Sequence, residues 1–334
     1  MMPDARHAAS RACCGMFLLC AAAALPAAAA APAAWKPDRP IELIATNAPG
    51  GGSDRILRIM AKVMQDGHLA EVPIAVVNKP GAGGSIAYAY VNQHPGNGHY
   101  IVLANKSLLT NNLVGQGPSF TELTSIAKLF NEYIAVTVKP ESPIKSGSDL
   151  IERLKKDPGS LSLGVATSFG NLNHQGVAAP FKLAGIDAKK VRTPIFPSGG
   201  AATTALFGGH VDVVPITLAF ATSLLRSGQV RILAVTSASR LPGVLADVPT
   251  WREQGYDVVV TNWRGFMGPK GITAAQIGYW EDTLRRLIEN EEWKKELEIN
   301  YWSTDFMGSA DMRKFLEKDN AEARAFLADI GIVK

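Results

Sequence analysis

The chain has 334 residues, of which 47% are hydrophobic and 19% charged, so it is long enough to bury the cores of two lobes. Its formal net charge is +4, and it has no dense stripe of Lys and Arg with interleaved aromatics, which argues against a nucleic-acid-binding protein. Beyond the N-terminal segment no apolar stretch is long enough to span a bilayer, which argues against an integral membrane protein.

Residues 1–34 predict a secretory signal peptide. Arg6 and Arg11 precede an apolar run over residues 16–25, and an alanine-rich tract follows as far as Ala34. A basic start, an apolar middle and a small-residue end are typical of a segment that is removed on export. We therefore expect a periplasmic protein, with 32 basic and 29 acidic residues after cleavage and a net charge of +3. A lipid anchor on Cys20 is the less favoured alternative, because bulky leucines precede that cysteine.

All three cysteines, Cys13, Cys14 and Cys20, lie in this predicted signal peptide. The mature chain is therefore expected to contain no disulfide, no thiolate nucleophile and no cysteine metal site. The six histidines show no His-x-x-x-His or similar spacing, so we also expect no metal site.

From about residue 40, apolar strand-like runs alternate with helix-like runs. This alternation predicts α/β layers with mostly parallel sheets. Ser53 is expected to cap the first helix, and Thr273 and Ser309 are expected to cap two C-terminal helices whose apolar stripes form core. The predicted strands are 41–45, 74–77, 100–104, 133–138, 161–165, 211–216, 232–236 and 258–261.

Two segments that follow predicted strands have the composition of crossings between lobes. Residues 139–143 contain two prolines, and residues 236–240 are mostly small and polar. Two crossings predict a second lobe formed by residues 139–237. The first lobe then combines residues 35–138 with residues 238–334.

A glycine-rich turn at residues 49–54 separates the first predicted strand from the first predicted helix. Its glycines let backbone N–H groups approach a ligand, and the helix start carries the positive end of a dipole. Such a place binds anions, carboxylates in particular. Asp54 is expected to shape the loop by accepting backbone hydrogen bonds, because its charge would repel an anion. The candidate ligand-binding residues here are Pro49, Gly50, Gly51, Gly52, Ser53 and Asp54.

Similar turns follow other predicted strands, and a turn at 197–202 opens a helix in the other predicted lobe. In open α/β sheets, ligands bind at the carboxyl ends of strands, so these turns are expected to meet at one cleft. Arg264 is in position to pair with a carboxylate, although stacking on Trp263 or bridging the lobes is an equal alternative. The further candidates are Lys106, Ser107, Ser168, Phe169, Gly170, Asn171, Ser198, Gly199, Gly200, Ala201, Thr217 and Arg264.

The sequence matches neither of the common nucleotide-binding motifs. No glycine loop is followed by Lys and then Ser or Thr, as a phosphate-binding P-loop requires. The run Gly81-Ala82-Gly83 lacks the third glycine of the dinucleotide fingerprint, because Ile86 stands there. We therefore expect no nucleotide cofactor.

Taken together, the loops resemble a known family. The runs 49–54, 77–84, 198–201, 206–212, 233–237, 240–242, 247–250 and 253–255 are similar, in order and spacing, to the substrate-binding proteins of tripartite tricarboxylate transporters. These proteins are also called the Bug family of periplasmic receptors. Each motif alone is short, but together they cover nearly all of residues 35–334.

The resemblance implies a two-lobed periplasmic-binding-protein fold, α/β and type II-like, with the ligand cleft between the lobes. It implies neither catalysis nor a cofactor, and it maps carboxylate binding onto the loops at 49–54 and 197–202. Its implied partners are a small organic acid and two integral-membrane subunits, one large and one small. Many relatives have Lys-Gly-Gly where this chain has Ser198-Gly199-Gly200, a variant that resembles the tricarboxylate-type branch. Citrate or a related acid is thus the first expected ligand, dicarboxylates, amino acids and aromatic carboxylates remain open alternatives, and we expect a monomer.

Two alternatives remain open at this point. In the first alternative, the protein is an exported ligand sensor for a signalling system. In the second, which is less favoured, it is an exported hydrolase that uses Ser168 as the nucleophile and His174 as the base.

Overall fold

The computed structural model describes residues 35–166, 170–329 and 331–333. The predicted signal peptide, its cysteines, Ser168 and Phe169 lie outside the described residues. The strands are β1 (Ile41–Ala45), β2 (Ile74–Asn78), β3 (Tyr100–Ala104), β4 (Thr124–Val138), β5 (Val165–Ala166), β6 (Ile195–Phe196), β7 (Val214–Thr217), β8 (Arg231–Val235), β9 (Thr261–Gly268) and β10 (Ser303–Gly308). The helices are α1 (Gly52–Asp66), α2 (Ser85–Asn92), α3 (Ser107–Leu113), α4 (Gly147–Lys156), α5 (Leu172–Leu183), α6 (Gly199–Phe207), α7 (Leu218–Arg226), α8 (Ala274–Glu289), α9 (Glu291–Asn300) and α10 (Ser309–Asp329).

The main sheet is mixed, with strand order β10-β4-β9-β3-β1-β2 and with β7 and β8 also paired to β4. β1 is parallel to β2 and β3, whereas β4 is antiparallel to all of its partners and β3 is antiparallel to β9. The prediction of mostly parallel pairing is therefore wrong for this sheet. Strand–helix alternation predicts crossovers between neighbours in sequence, but the partners of β4 come from residues far along the chain.

β4 is a single strand of 15 residues that serves two groups of partners. Its first part, as far as Tyr133, pairs with β9 and, over a shorter stretch, with β10. Its last part, from Ile134 to Val138, lies between β7 and β8. The sequence predicts only residues 133–138 as strand, because Lys128, Asn131 and Glu132 interrupt the apolar pattern of the preceding residues.

Separate sets of buried side chains pack on the two parts of this sheet system. One set includes Leu43, Met60 and Trp280, from β1, α1 and α8. Another set joins α4 and α5 to Val136 of β4 and to Trp251, whose indole N–H donates to the carbonyl of Gly176 at 2.9 Å. Trp251 thus packs with residues of the predicted second lobe, although it lies in the 238–334 segment. The lobe boundaries stay a prediction.

Local signals predict several element ends correctly and others not. β1 and β3 have the predicted bounds, and Thr273 caps α8 through a reciprocal capping box with Gln276. Ser309 is the first residue of α10, and its hydroxyl donates to the carbonyl of Ser125. β9 begins where the predicted strand 258–261 ends, because the N–H of Val260 bonds instead to the carbonyl of Thr236 in a loop. Within the described ranges, no helix combines the length and the apolar character needed to cross a membrane.

Candidate functional site

The loop between β1 and α1 is shaped by glycine. Gly50 has φ +79°, and a Cβ on Gly51 would lie 2.6 Å from the Cβ of Asn47, so a side chain is excluded there. Gly51, not Ser53, is the N-cap of α1, which corrects the predicted cap. The Ser53 hydroxyl is buried beneath the loop, where it accepts from the N–H of Thr46 at 3.1 Å and donates to Asn47 Oδ1 at 2.5 Å.

Asp54 connects this loop to its surroundings. Its carboxylate accepts from the N–H of Gly50, from Nδ2 of Asn78 and from the guanidinium of Arg58, with distances of 2.9–3.0 Å. Burial alone would raise the pKa of Asp54, but the hydrogen bonds from Arg58, Gly50 and Asn78 outweigh it and hold the pKa below its usual value. Asp54 thus fixes the conformation of the glycine turn.

The second loop has an open helix start. Ser198 caps α6, since its hydroxyl accepts from the N–H of Ala201 at 3.1 Å. A Cβ on Gly199 would lie 3.6 Å from Cγ2 of Ile216, and one on Gly200 would lie 3.7 Å from Oγ of Ser198, which are ordinary contacts. The first turn of α6 therefore carries no bulky side chain, and the N–H groups of Gly199 and Gly200, which precede the one that Ser198 caps, are left for the space above it.

Two more helices begin at the same place. α7 follows β7 directly, with Thr217 as its N-cap. α5 is capped by Asn171, whose Oδ1 accepts from the N–H of His174 at 3.0 Å, and Asn173 lies in its first turn. The described part of the chain thus brings the N-terminal turns of α1, α5, α6 and α7 to one cleft.

This cleft has a volume of about 480 Å³. It brings together eight of the predicted site residues from four separate parts of the chain. The predicted residues that line it are Gly50, Gly51, Gly52, Ser198, Gly199, Gly200, Thr217 and Arg264. The remaining lining residues are Arg55, Ile56, Glu132, Asn173, Ile216, Ala219, Phe220, Ser223, Asn300 and Trp302.

A buried ion pair forms part of the cleft. The side chains of Arg264 and Glu132 are only 6% and 8% exposed, and Nε and Nη2 of Arg264 both lie 2.6 Å from Oε2 of Glu132. Asn262 Nδ2 donates to the same oxygen at 2.9 Å. Nη1 of Arg264 is buried and has no hydrogen-bond partner among the residues that the structure describes. A Cβ on Gly52 would lie 3.8 Å from Nη2, so the guanidinium lies against the first glycine loop.

The charges of the cleft favour an anion. Each helix N-terminus carries roughly half a positive charge, and several N–H groups in each first turn lack helical partners. Arg55, which donates to Oδ1 of Asn300 at 3.1 Å, adds an exposed positive charge. Glu132 is the one acidic residue of the lining, and Arg264 already pairs with it.

A larger cavity of about 600 Å³ lies between Leu241–Gly243 and the end of α9. The α9 residues in its wall are Lys294, Leu297 and Glu298, whose two charges offset each other, and no N-cap of a described α-helix lines it. We therefore place the candidate site in the smaller cleft. Trp302 lies in the walls of both.

Other predicted site residues lie away from the lining. Lys106 pairs with Asp319 at 2.8 Å, and both side chains are largely buried, so its charge is already compensated. Ser107 begins α3 beside it. Pro49, Ser53, Asp54, Gly170, Asn171 and Ala201 belong to the loops or helix starts that support the lining. Whether any of the predicted residues binds a ligand stays a prediction.

Several lining residues have no signal in the sequence. Glu132 lies in the part of β4 that the sequence does not predict as strand. It reaches Arg264 because β4 pairs with β9 in a register that sets Glu132 opposite Asn262. Asn300 is the last residue of α9 and Trp302 lies just beyond it, in a segment that has the pattern of an ordinary helix end. Among the residues that can be placed, no group of three or more His, Cys, Asp and Glu side chains is close enough to hold a metal ion.

His174, the proposed base of the hydrolase alternative, is buried at the start of α5. Its Nδ1 accepts from the N–H of Gly170 at 3.2 Å, and burial lowers its pKa to about 4. In the unfolded chain its pKa is about 6.5. Between pH 6.5 and pH 4 the imidazole is protonated in the unfolded chain but stays neutral in the folded protein. The free energy of unfolding therefore falls as the pH drops from 6.5 to 4.

We expect this histidine to contribute up to about 3 kcal/mol to the pH dependence of unfolding, the equivalent of roughly 2.5 pKa units. Urea denaturation of the wild type and of His174→Gln measures it at pH 7 and pH 4.5. The stability difference between the two proteins should shrink at the lower pH, because only the wild type loses the contribution of a neutral imidazole. A difference that is the same at both pH values would contradict the shift.

Comparisons with known proteins identify the family and the fold. Residues 56–332 match the model of the tripartite tricarboxylate transporter family receptor. BugT of Bordetella pertussis is 27% identical over 241 residues, which cover 70% of this chain and 72% of BugT. The fold is that of MatC from Rhodopseudomonas palustris, solved with bound malate, with a TM-score of 0.72 at 20% identity over 87% of this chain and 99% of MatC. A second R. palustris protein, solved with adipate, has a TM-score of 0.76 at 23% identity over 88% of this chain and 98% of its own. These likenesses confirm the predicted two-lobed fold.

Proposed function

Because this chain belongs to the tripartite tricarboxylate transporter receptor family, we propose that it is a periplasmic solute-binding protein that captures a small carboxylate and delivers it to the transporter. The predicted signal peptide exports it, and one large and one small integral-membrane subunit receive the ligand from it. It acts as a monomer, without a cofactor and without catalysis.

The observation that carries this proposal is the convergence of four helix N-termini and Arg264 on one cleft. Open N–H groups at the start of α1 and α6 hold carboxylate oxygens, and the cleft excludes much of the competing water. The volume of about 480 Å³ suits a small organic acid. The malate and adipate named for the two R. palustris proteins are both dicarboxylates, which supports a carboxylate ligand here.

Capture proceeds by closure of the two lobes. A carboxylate first docks on the loop at 49–54, and hinge rotation then brings the loop at 197–202 onto it. Bridging waters complete the contacts, because the glycines of these loops leave space between the backbone and the ligand. Citrate and related acids remain the first ligands to test, since the Ser198-Gly199-Gly200 variant resembles the tricarboxylate-type branch.

The proposal is tested by native mass spectrometry of the purified mature protein, followed by calorimetry with citrate, malate, succinate and adipate. We expect a co-purified organic acid and a Kd well below millimolar for at least one member of the panel. Sodium chloride at matched ionic strength controls for general anion binding. If no carboxylate binds at millimolar concentration, the proposed function is wrong.

A further inference from the structure

Glu132 is an acidic residue in the wall of a cleft that otherwise favours anions. One of its carboxylate oxygens, Oε2, accepts from Nε and Nη2 of Arg264 and from Nδ2 of Asn262. The other oxygen, Oε1, accepts from no residue in the described ranges. The side chain is 8% exposed and lines the cleft, so Oε1 has only the cleft from which to find a donor.

A charged acceptor at this depth requires a hydrogen-bond donor, because an unmatched buried polar group costs free energy. When a ligand displaces water from the cleft, the ligand itself has to supply that donor. A plain carboxylate has none at neutral pH, and its own oxygens would repel Oε1. A ligand that carries only carboxylates is therefore mismatched to this wall of the cleft.

Hydroxyl and ammonium groups are the two common donors next to a carboxylate, and the charges around Glu132 favour the hydroxyl. Arg264 already compensates the charge of Glu132, so the pair offers a hydrogen-bond acceptor but no net negative charge. The N-terminal turns of α1, α5, α6 and α7 face the same cleft, and their positive ends oppose a cationic group. A neutral donor avoids this repulsion and still satisfies Oε1.

We propose that the cleft selects carboxylic acids that bear a hydroxyl group on the carbon next to a carboxylate. Glu132 recognises this hydroxyl by accepting a hydrogen bond from it. This inference rests on the proposed function and narrows its ligand class. The carboxylate of the ligand binds the helix starts, and its hydroxyl donates to Oε1 of Glu132.

Malate, succinate and aspartate test the proposal, because these four-carbon dicarboxylates differ only in a hydroxyl, a hydrogen or an ammonium group at one carbon. Citrate and tricarballylate form a second pair that differs by the hydroxyl alone. Calorimetry on the mature wild-type protein should show malate binding at least about tenfold more tightly than succinate, the effect of one hydrogen bond to a charged group. Citrate should exceed tricarballylate similarly, and aspartate should bind no more tightly than succinate.

The variant Glu132→Gln then tests whether Glu132 is the residue that accepts the hydrogen bond from the ligand hydroxyl. The amide oxygen can still accept from Arg264, but the charged acceptor is gone, so the malate-to-succinate ratio should fall several-fold. Glu322→Gln, an exposed change on α10, is the matched control and should keep the wild-type ratio. Near-UV circular dichroism checks that both variants are folded.

Each result supports or overturns the proposal. Equal binding of malate and succinate by the wild type overturns the selection for a hydroxyl and leaves the proposed function intact. Aspartate binding more tightly than malate overturns the choice of a neutral donor. An unchanged ratio in folded Glu132→Gln removes Glu132 from the role. If no di- or tricarboxylate binds at all, the proposed function itself fails.

Discussion

Gly199→Asp is expected to weaken carboxylate binding more than a hundredfold while leaving the fold intact. Gly199 is the first residue of α6 and lines the cleft, and among the described residues a Cβ there would meet only Cγ2 of Ile216, at an ordinary 3.6 Å. The substitution therefore adds a charge without a clash. Two like charges about 5 Å apart, at an effective dielectric constant of about 20, repel by roughly 3 kcal/mol, which corresponds to more than a hundredfold in Kd.

The thermal stability of Gly199→Asp should rise slightly, although its affinity for carboxylates falls. A carboxylate in the first turn of a helix interacts favourably with the helix dipole, typically by about 0.3–1 kcal/mol. Gly199→Asp is thus expected to raise the thermal midpoint slightly as it removes binding. Loss of binding together with a large loss of stability would indicate an unfolded variant instead of a charge effect.

Gly199→Asn is the matched control, because asparagine has nearly the shape of aspartate without its charge. We expect this variant to retain measurable binding, and the difference between the two variants gives the electrostatic part. Calorimetry with the tightest acid of the panel measures both. Equal binding by the two variants would show that bulk, not charge, controls access to α6, and wild-type affinity in both would place the ligand elsewhere.

Arg264→Met should cost about 3–5 kcal/mol of the free energy of unfolding. The substitution keeps most of the side-chain volume but leaves Glu132, which is 8% exposed, without its cationic partner. Breaking a buried ion pair from one side is strongly destabilising because an uncompensated charge stays in a poorly solvated place. Urea denaturation measures the loss.

The double variant Arg264→Met/Glu132→Leu should recover most of that loss, since no buried charge remains. Lys36→Met is the control: it removes one partner of the Lys36–Glu71 pair, whose side chains are 64% and 74% exposed. Because surface pairs are screened by water, we expect no measurable shift of its denaturation midpoint. A double variant as unstable as Arg264→Met would mean that the arginine acts through packing and not through charge.

The glycine loops were predictable because their signals are local. A strand, a run of glycine and serine, and a helical pattern follow one another within residues 41–65, and the structure has β1, the turn and α1 there. The same holds for Ser198 before α6. Such signals depend on backbone geometry that neighbouring residues determine among themselves.

Glu132 was not predictable for the opposite reason. Its place in the cleft depends on the pairing of β4 with β9, which sets Glu132 against Asn262, 130 residues away in the chain. Polar residues interrupt the apolar pattern just before it, so even the strand was missed over 124–132. Strand register between distant segments is decided by packing on both faces of the sheet, which a single sequence does not display.

The cap of α1 shows how a local signal can mislead. Ser53 is a favourable cap residue by type, but the close approach of Asn47 to Gly51 moves the helix start two residues earlier. The serine hydroxyl is then used inside the loop, where it joins Thr46 to Asn47. Side-chain preference was correct for Thr273, whose hydroxyl accepts from the N–H of Gln276 in a capping box.

The course of β4 limits how the molecule can be divided. β7 and β8 both pair with the last part of β4, and neither pairs with any other strand of the main sheet. A fragment or graft of residues 139–237 alone would carry these two strands without the strand between them, and it would expose open edges that invite aggregation. An exchange of this region between relatives therefore has to include β4 and, with it, Glu132. In this chain, exchanging the predicted second lobe as a module would also exchange a wall of the candidate cleft.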